Sequence, residues 1–181
     1  MSLKVAKEII GKTQYYIMRS HERAPLSEYQ KGWIEAAIDF EGSLSLFCTY
    51  QKKRPGTPEA YTAYRPVLQI GTTDPFLPQK AKDILIDGYI CPWNPSKPNL
   101  SKRYNYVLSE NIALKRVLSQ IKLALKDTQR LLLLEVIDYS LSERLAGHGG
   151  SDLWNGNWEK LPRIKEIWAE MRLLNGGKTI E

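Results

Sequence analysis

The 181-residue chain has little of several things that would otherwise direct its reading, beginning with 2 cysteines and 2 histidines. Cys48 and Cys91 fall in separate predicted strands, with no CxxC pair and no nearby pair of histidine ligands. This argues against a disulfide framework and a structural zinc site, and a reducing compartment is the simpler expectation. No apolar run approaches the roughly 18 residues of a membrane span. The first twenty residues interleave Lys4, Lys7, Glu8 and Lys12 with apolar positions, so a soluble, intracellular, unexported protein is expected. There is no low-complexity tract and no second copy of the segment 33–42.

What is present is a chain with 43% hydrophobic residues, long enough to bury a core and with no need of a second domain. One domain over 1–181 is expected, with a core at about 27–142, an N-terminal extension 1–26 and a C-terminal helical extension 143–181. Lys and Arg number 26 against 20 Asp and Glu, a formal charge of +6. The isoelectric point near 9.2 favours a polyanionic partner without identifying it.

The pattern of elements is α+β. Residues 1–27 have no clean period and are expected to form one helix before the turn at Arg23-Ala24-Pro25. Ser27 is placed to cap a helix to Glu41, in which Trp33, Ala36, Ala37 and Phe40 follow three-to-four spacing. From Ser43 the sequence alternates, predicting a strand with Leu44, Leu46, Cys48 and Tyr50 towards the core. A turn at Pro55-Gly56 leads to a second alternating run, 60–72, completing a hairpin. Asp74-Pro75 is the expected cap and first residue of the next helix, with Leu77, Ala81, Ile84 and Leu85 as its stripe. Strands at 89–93 and 103–108 flank Pro95-Ser96-Lys97-Pro98-Asn99 and make a second hairpin. Ser109 is the expected cap of a helix with Leu114, Val117, Leu118 and Ile121 inward, and Asp127 opens another to about Leu141. After Gly147-His148-Gly149-Gly150, a last helix presents Ile164, Ile167, Trp168 and Met171 and stops at Gly176-Gly177.

The informative stretch is Trp33-Ile34-Glu35-Ala36-Ala37-Ile38-Asp39-Phe40-Glu41-Gly42-Ser43. Gly32 and Ala36 lie four apart and share a face on which another helix backbone can approach closely. A helix C-terminus carries partial negative charge, so Asp39 and Glu41 are unfavourable there, by about 0.3–1 kcal/mol each when exposed. A divalent cation would reverse that, and two such helices meeting about a twofold axis would bring their carboxylates together. The same features also describe an amphipathic helix ending in solvated acids at a glycine cap.

Residues 34–42, Ile-Glu-Ala-Ala-Ile-Asp-Phe-Glu-Gly, resemble the signature of the LAGLIDADG homing endonucleases. Ile38, Asp39 and Gly42 match it and Glu41 fills the last acidic position. Glu35 departs from it by standing where the family has a small residue, as does Ala36 where glycine is frequent. The resemblance runs from about Tyr29 to Leu141 and includes the α-β-β-α-β-β-α order. Leu125-Lys126-Asp127-Thr128-Gln129 is similar to a family segment whose lysine lies beside the active site.

The resemblance implies a homodimer, one motif per chain, that hydrolyses both strands of a double-stranded DNA site and is intron-encoded. It implies Mg²⁺, or another divalent ion such as Mn²⁺, held by Glu41 with Asp39 contributing less directly. Lys126 would stabilise developing charge or order water, and Thr72 stands near a position where the family has a polar residue such as Gln. Ser43, Ser45, Thr49 and Gln51 on the first strand and Arg65 and Gln69 on the second would read DNA, with Arg103 and Asn105 extending that surface. Lys52, Lys53, Arg54, Lys97 and Lys102 would touch phosphates or serve solubility. Gly32, Trp33, Ala36 and Ala37 would form the dimer face. His148 is read as a loop residue, and Trp154, Trp158 and Trp168 as packing or stacking groups without a catalytic role. The rival functions are an RNA-binding maturase acting on intron RNA and a noncatalytic DNA-binding regulator. The expected location is the cytoplasm or wherever the target DNA resides.

Overall fold

The computed structural model describes residues 23–51, 61–93, 101–145 and 162–177. The expected helix within 1–22, the turn at Pro55-Gly56, the loop at 95–99 and the glycine-rich stretch 147–150 lie outside the described residues, as do His148, Trp154 and Trp158.

Helix α1 spans Glu28–Glu41. Ser27 caps it: its Oγ accepts the Gln30 N–H at 3.2 Å, and Gln30 Oε1 accepts the Ser27 N–H at 2.9 Å. Its buried residues are Ile34, Ala37, Ile38 and Asp39, whereas Ala36 and Phe40 are exposed. The expected stripe through Ala36 and Phe40 is thus corrected by a roll of the helix. Two isoleucines one turn apart bury more branched apolar surface against the sheet than the alternative face does.

Gly42 ends α1 without entering a left-handed conformation: φ is −93°, ψ is 169°, and its N–H donates to the Ile38 carbonyl. The need for glycine is one of space. A Cβ there would lie 2.7 Å from Ile38 Cα and 3.2 Å from the Gln69 carbonyl oxygen. Both are backbone atoms and cannot swing aside. Gly42→Ala is expected to lower stability by about 1–3 kcal/mol, measured as a lower urea midpoint; an unchanged midpoint would mean that the junction has slack.

The chain passes directly into β1 (Gly42–Gln51), which pairs along its whole length with β2 (Tyr61–Thr72), from Gly42↔Ile70 to Gln51↔Tyr61. Strands β3 (Tyr89–Trp93) and β4 (Arg103–Leu108) form the second hairpin, and the antiparallel sheet has the order β1-β2-β4-β3. One side of the sheet supplies Leu44, Leu46, Leu68, Ile70, Tyr106 and Leu108 to the core. Cys48 and Tyr50 share that parity but are exposed, Tyr50 at 67%, correcting the expectation that they are buried. Core packing reaches the root of the first hairpin at Leu44 and Leu46, and alternation alone does not tell how far along a strand such cover extends.

Helix α2 (Phe76–Leu85) starts one residue later than expected, with Pro75 at the cap position and Asp74 Oδ1 accepting the Phe76 N–H at 2.9 Å. Helix α3 (Asn111–Leu118) is capped by Glu110 instead of Ser109: its carboxylate accepts the Ile112 and Ala113 N–H groups at 3.1 and 2.7 Å. Helix α4 spans Asp127–Leu145, four residues past the expected end, and α5 spans Pro162–Leu174. Ile164, Ile167 and Met171 of α5 are buried, and Trp168 meets Tyr64 edge-on with ring centroids 6.2 Å apart. Asn175, just beyond α5, donates through Nδ2 to the Leu44 carbonyl at 2.9 Å and ties this end to β1. Among the described residues, no helix is long and apolar enough to cross a membrane.

Candidate metal centre and nucleic-acid interface

Glu41 is the last residue of α1, exposed at the point where the helix becomes β1. No basic residue lies in the last turn of α1, so its carboxylate sits at the negative end of the helix dipole with no cation from α1 itself. Among the described residues no hydrogen bond to that carboxylate is present, and the cation that acts on it, Lys126, donates to backbone carbonyls instead. Both carboxylate oxygens are therefore open to a hard cation.

Asp39 has a different environment. It is 8% exposed, and both carboxylate oxygens are occupied: Oδ2 accepts the Ala124 N–H at 2.7 Å, and Oδ1 accepts the Leu125 and Lys126 N–H groups, each at 3.2 Å. Lys126 returns the contact. Its Nζ donates to the carbonyls of Ile38, Asp39 and Gly42 at 2.7, 2.6 and 2.9 Å, supplying α1 with a cationic C-terminal partner from a distant part of the chain. Burial holds the Lys126 ammonium below the ordinary lysine pKa, against the opposing pull of the Asp39 and Glu41 carboxylates. Glu35, the residue that departs from the family pattern, accepts the Lys122 N–H at 2.8 Å and anchors the start of the same segment.

Glu41 opens onto a cleft of about 370 Å³ on the solvent-facing side of the sheet. Ser43 and Gln69, a directly opposed pair on β1 and β2, line it together with Arg103 and Asn105 of β4 and Trp93 of β3. The register explains the grouping, because Gly71 opposes Asn105 and Trp93 opposes Arg103. Trp93, 46% exposed, was not anticipated from sequence. Its place on this side follows from the parity of β3 once the pairing of Trp93 with Arg103 is known.

Thr72 is not among the residues lining this cleft. It shares the parity of Ile70 on the helix side of β2, and its Oγ1 accepts the Asp74 N–H at 3.3 Å. Strand alternation places Thr72 on the other side of β2 from this cleft, and Gln69 is the β2 amide that lines it with Glu41. Gly71 matters here too, because a Cβ on it would come within 2.2 Å of Asn105 Oδ1. The obstacle is a side-chain end that can rotate. Gly71→Ala is expected to leave the fold intact and displace the Asn105 carboxamide, with little change in melting temperature. A large fall in melting temperature would show that the glycine serves the backbone instead.

Of the other expected contacts, Ser45, Thr49 and Arg65 share the parity of Ser43 or Gln69 and belong to the solvent-facing side, with Arg65 and Thr49 exposed. Gln51 is described by its backbone, paired with Tyr61. Lys102 is not brought to the Glu41 cleft. Its ammonium lies over the Tyr104 ring, 5.1 Å from the centroid, and lines a separate groove with Phe76 and Ile90. Lys52, Lys53, Arg54 and Lys97 lie outside the described residues.

On α1, Gly32 and Ala36 are exposed, and nothing lies within 4 Å of a Cβ built on Gly32. Tyr29 and Phe40, 70% and 78% exposed, extend the same stripe at helical spacing. Ala37 is buried in the core and Trp33 is half-buried against it. The exposed stripe of α1 is Tyr29, Gly32, Ala36 and Phe40.

Among the described residues, no three His, Cys, Asp or Glu side chains come together as a metal-binding group. A cation at Glu41 would take its remaining ligands from water, phosphate or a second copy of the chain.

The four-stranded sheet with helices on one side is the fold of LAGLIDADG homing endonucleases. The homing endonuclease I-CvuI bound to the I-CreI target superposes with a TM-score of 0.60 at 17% identity, covering 85% of this chain and 87% of that one. The group I intron-encoded homing endonuclease I-CeuI in complex with DNA gives 0.55 at 11% identity, covering 94% and 81%. The LAGLIDADG homing endonuclease I-SmaMI bound to cleaved DNA gives 0.53 at 17% identity, covering 83% of this chain but 49% of that one. No protein-family sequence model and no curated protein sequence matches the chain.

Proposed function

We propose that the protein is a site-specific endonuclease for double-stranded DNA, acting as a homodimer with Mg²⁺ or a similar divalent ion, and that it is intron-encoded. The observation that carries this reading is Glu41: an exposed carboxylate at the negative end of a helix, beside a cleft lined by Gln69, Asn105 and Arg103. Those side chains can read base edges, with Arg suited to guanine and Asn or Gln to adenine. A carboxylate beside them would put cutting chemistry next to base recognition.

A bound divalent ion would neutralise charge on the scissile phosphate and favour formation of the attacking hydroxide. Glu41 is the side chain that would hold it. Ser43, Ser45, Thr49, Arg65 and Gln69 would set the register of the duplex on the sheet, with Arg103 and Asn105 at its β4 edge. The chain spans about half of I-SmaMI, and its exposed α1 stripe fits a second copy supplying the other half of the enzyme. I-CvuI was crystallised with Mg in one complex, whose DNA is not cleaved, and with Ca in another, which supports a divalent ion at such a site.

The test is incubation with a randomised double-stranded DNA library in Mg²⁺ or in EDTA, followed by recovery of cut ends. A consensus cut on both strands, seen in Mg²⁺ and absent in EDTA, is the expected outcome. Retention of DNA with no cut under either condition would overturn the reading in favour of a DNA-binding regulator, and selective retention of intron RNA would favour a maturase.

A further inference from the structure

We infer that Asp39 and Lys126 form a reciprocal latch that positions Glu41, with neither side chain acting on metal or DNA itself. The inference rests on the endonuclease reading for its catalytic consequence, but its geometric part stands alone. A lysine ammonium has three N–H donors, and those of Lys126 have three carbonyl acceptors, of Ile38, Asp39 and Gly42, all within 2.9 Å. Nothing is left to orient water or to bind a phosphate. The carboxylate of Asp39 is likewise committed, through three backbone N–H groups at 124–126. To ligate a metal it would have to leave amides in a part-buried site, at the cost of leaving them unsatisfied.

Each half of the latch holds the other. Asp39, on the last turn of α1, fixes the backbone that carries Lys126, and Lys126 reaches back to the carbonyls on either side of Glu41. The segment 124–126 immediately precedes α4, which packs into the core through Leu132, Leu133, Val136 and Ile137. The end of α1, otherwise followed directly by a strand, is thereby braced against a second element, and the direction in which Glu41 leaves the helix is set. Asp39 and Lys126 are positioning residues.

The experiment compares the full chain with Asp39→Asn, Lys126→Met and the double variant in two measurements. Native-state amide exchange should be faster at Ala124, Leu125 and Lys126 in Asp39→Asn, by at least about tenfold. Cutting of a site recovered from the library should slow about 10–100-fold in either single variant, the usual cost of losing a group that orients a metal ligand. The Mg²⁺ concentration for half-maximal rate should rise alike in both single variants, because both misplace the same ligand, and the double variant should be no slower than the slower single variant, because both changes release the same arrangement. Unchanged exchange at 124–126, a raised Mg²⁺ requirement confined to Asp39→Asn, or multiplied losses in the double variant would each overturn the latch. If Asp39→Asn does not fold, Lys126→Met decides the matter through the Gly42 amide, which donates to Ile38 at the braced turn and should exchange faster. If no form of the protein cuts DNA, the endonuclease reading fails while the exchange measurements still test the latch.

Discussion

Glu41→Gln is expected to slow DNA cutting by more than about 100-fold while changing DNA affinity by less than about tenfold. The bound follows from the difference between holding a cation and supporting a group that holds one. Loss of a supporting group already costs about 10–100-fold, and Glu41 would itself be the ligand. Glutamine keeps the size of the side chain but removes the negative charge that a hard cation requires. Affinity should persist because the base-reading side chains Gln69, Arg103 and Asn105 are untouched, and removal of a carboxylate close to phosphates lowers repulsion. Single-turnover cutting and a gel-shift titration on the same duplex check the two halves. A variant that cuts normally would remove Glu41 from the chemistry, and one that loses binding and cutting together would make it a DNA-contact residue.

If the proposed homodimer forms through α1, Phe40→Asp is expected to convert it to monomer and to eliminate paired-strand cutting. Phe40 is 78% exposed on a helix whose opposite face is in the core, and Tyr29, Gly32 and Ala36 continue its stripe. Burying a phenylalanine contributes about 1.5–3 kcal/mol, and a twofold axis counts it twice, so association should weaken by about a hundredfold or more. The introduced carboxylates would also face each other across the axis. Sedimentation velocity reads the change, with Leu173→Asp as the control: Leu173 is 53% exposed on α5, away from the stripe. A Phe40→Asp protein that remains dimeric would move the interface off α1, and an unaltered protein that sediments as a monomer would overturn the homodimer.

Much of the architecture was legible because local rules coincide with tertiary ones. Ser27 at a helix start, the strand after Gly42 and the stripe Leu114, Val117 and Leu118 are short-range patterns found where they are expected, whereas Cys48 and Tyr50 are exposed and the buried Ile121 lies past the end of α3. The bounds of β3 and β4 are legible too, because Gly88 precedes the first and the run Pro95-Ser96-Lys97-Pro98-Asn99 can continue neither. Errors arose where two local patterns compete. Along α1, Ala36 and Phe40 lie on one three-to-four stripe and Ile34 and Ile38 on another, and only the sheet selects between them. Thr72 lies outside the cleft for a related reason: proximity along the chain does not say which side of a strand a residue faces, and Gln69 has the parity of the cleft.

The sequence by itself determined the order of elements and the one unusual feature, two carboxylates at a helix end that has no cation of its own. Those depend on spacing within a few residues, which the backbone periods fix. Only the tertiary structure decided what the two acids do. Asp39 and Glu41 are two residues apart on a helix and so point in different directions: one is drawn inward to amides 85–87 residues later in the chain, while the other is left open to solvent. The sorting of the pair into brace and open carboxylate follows from where the 124–126 segment returns to α1, a contact made by the packing of α4 and invisible to any local pattern.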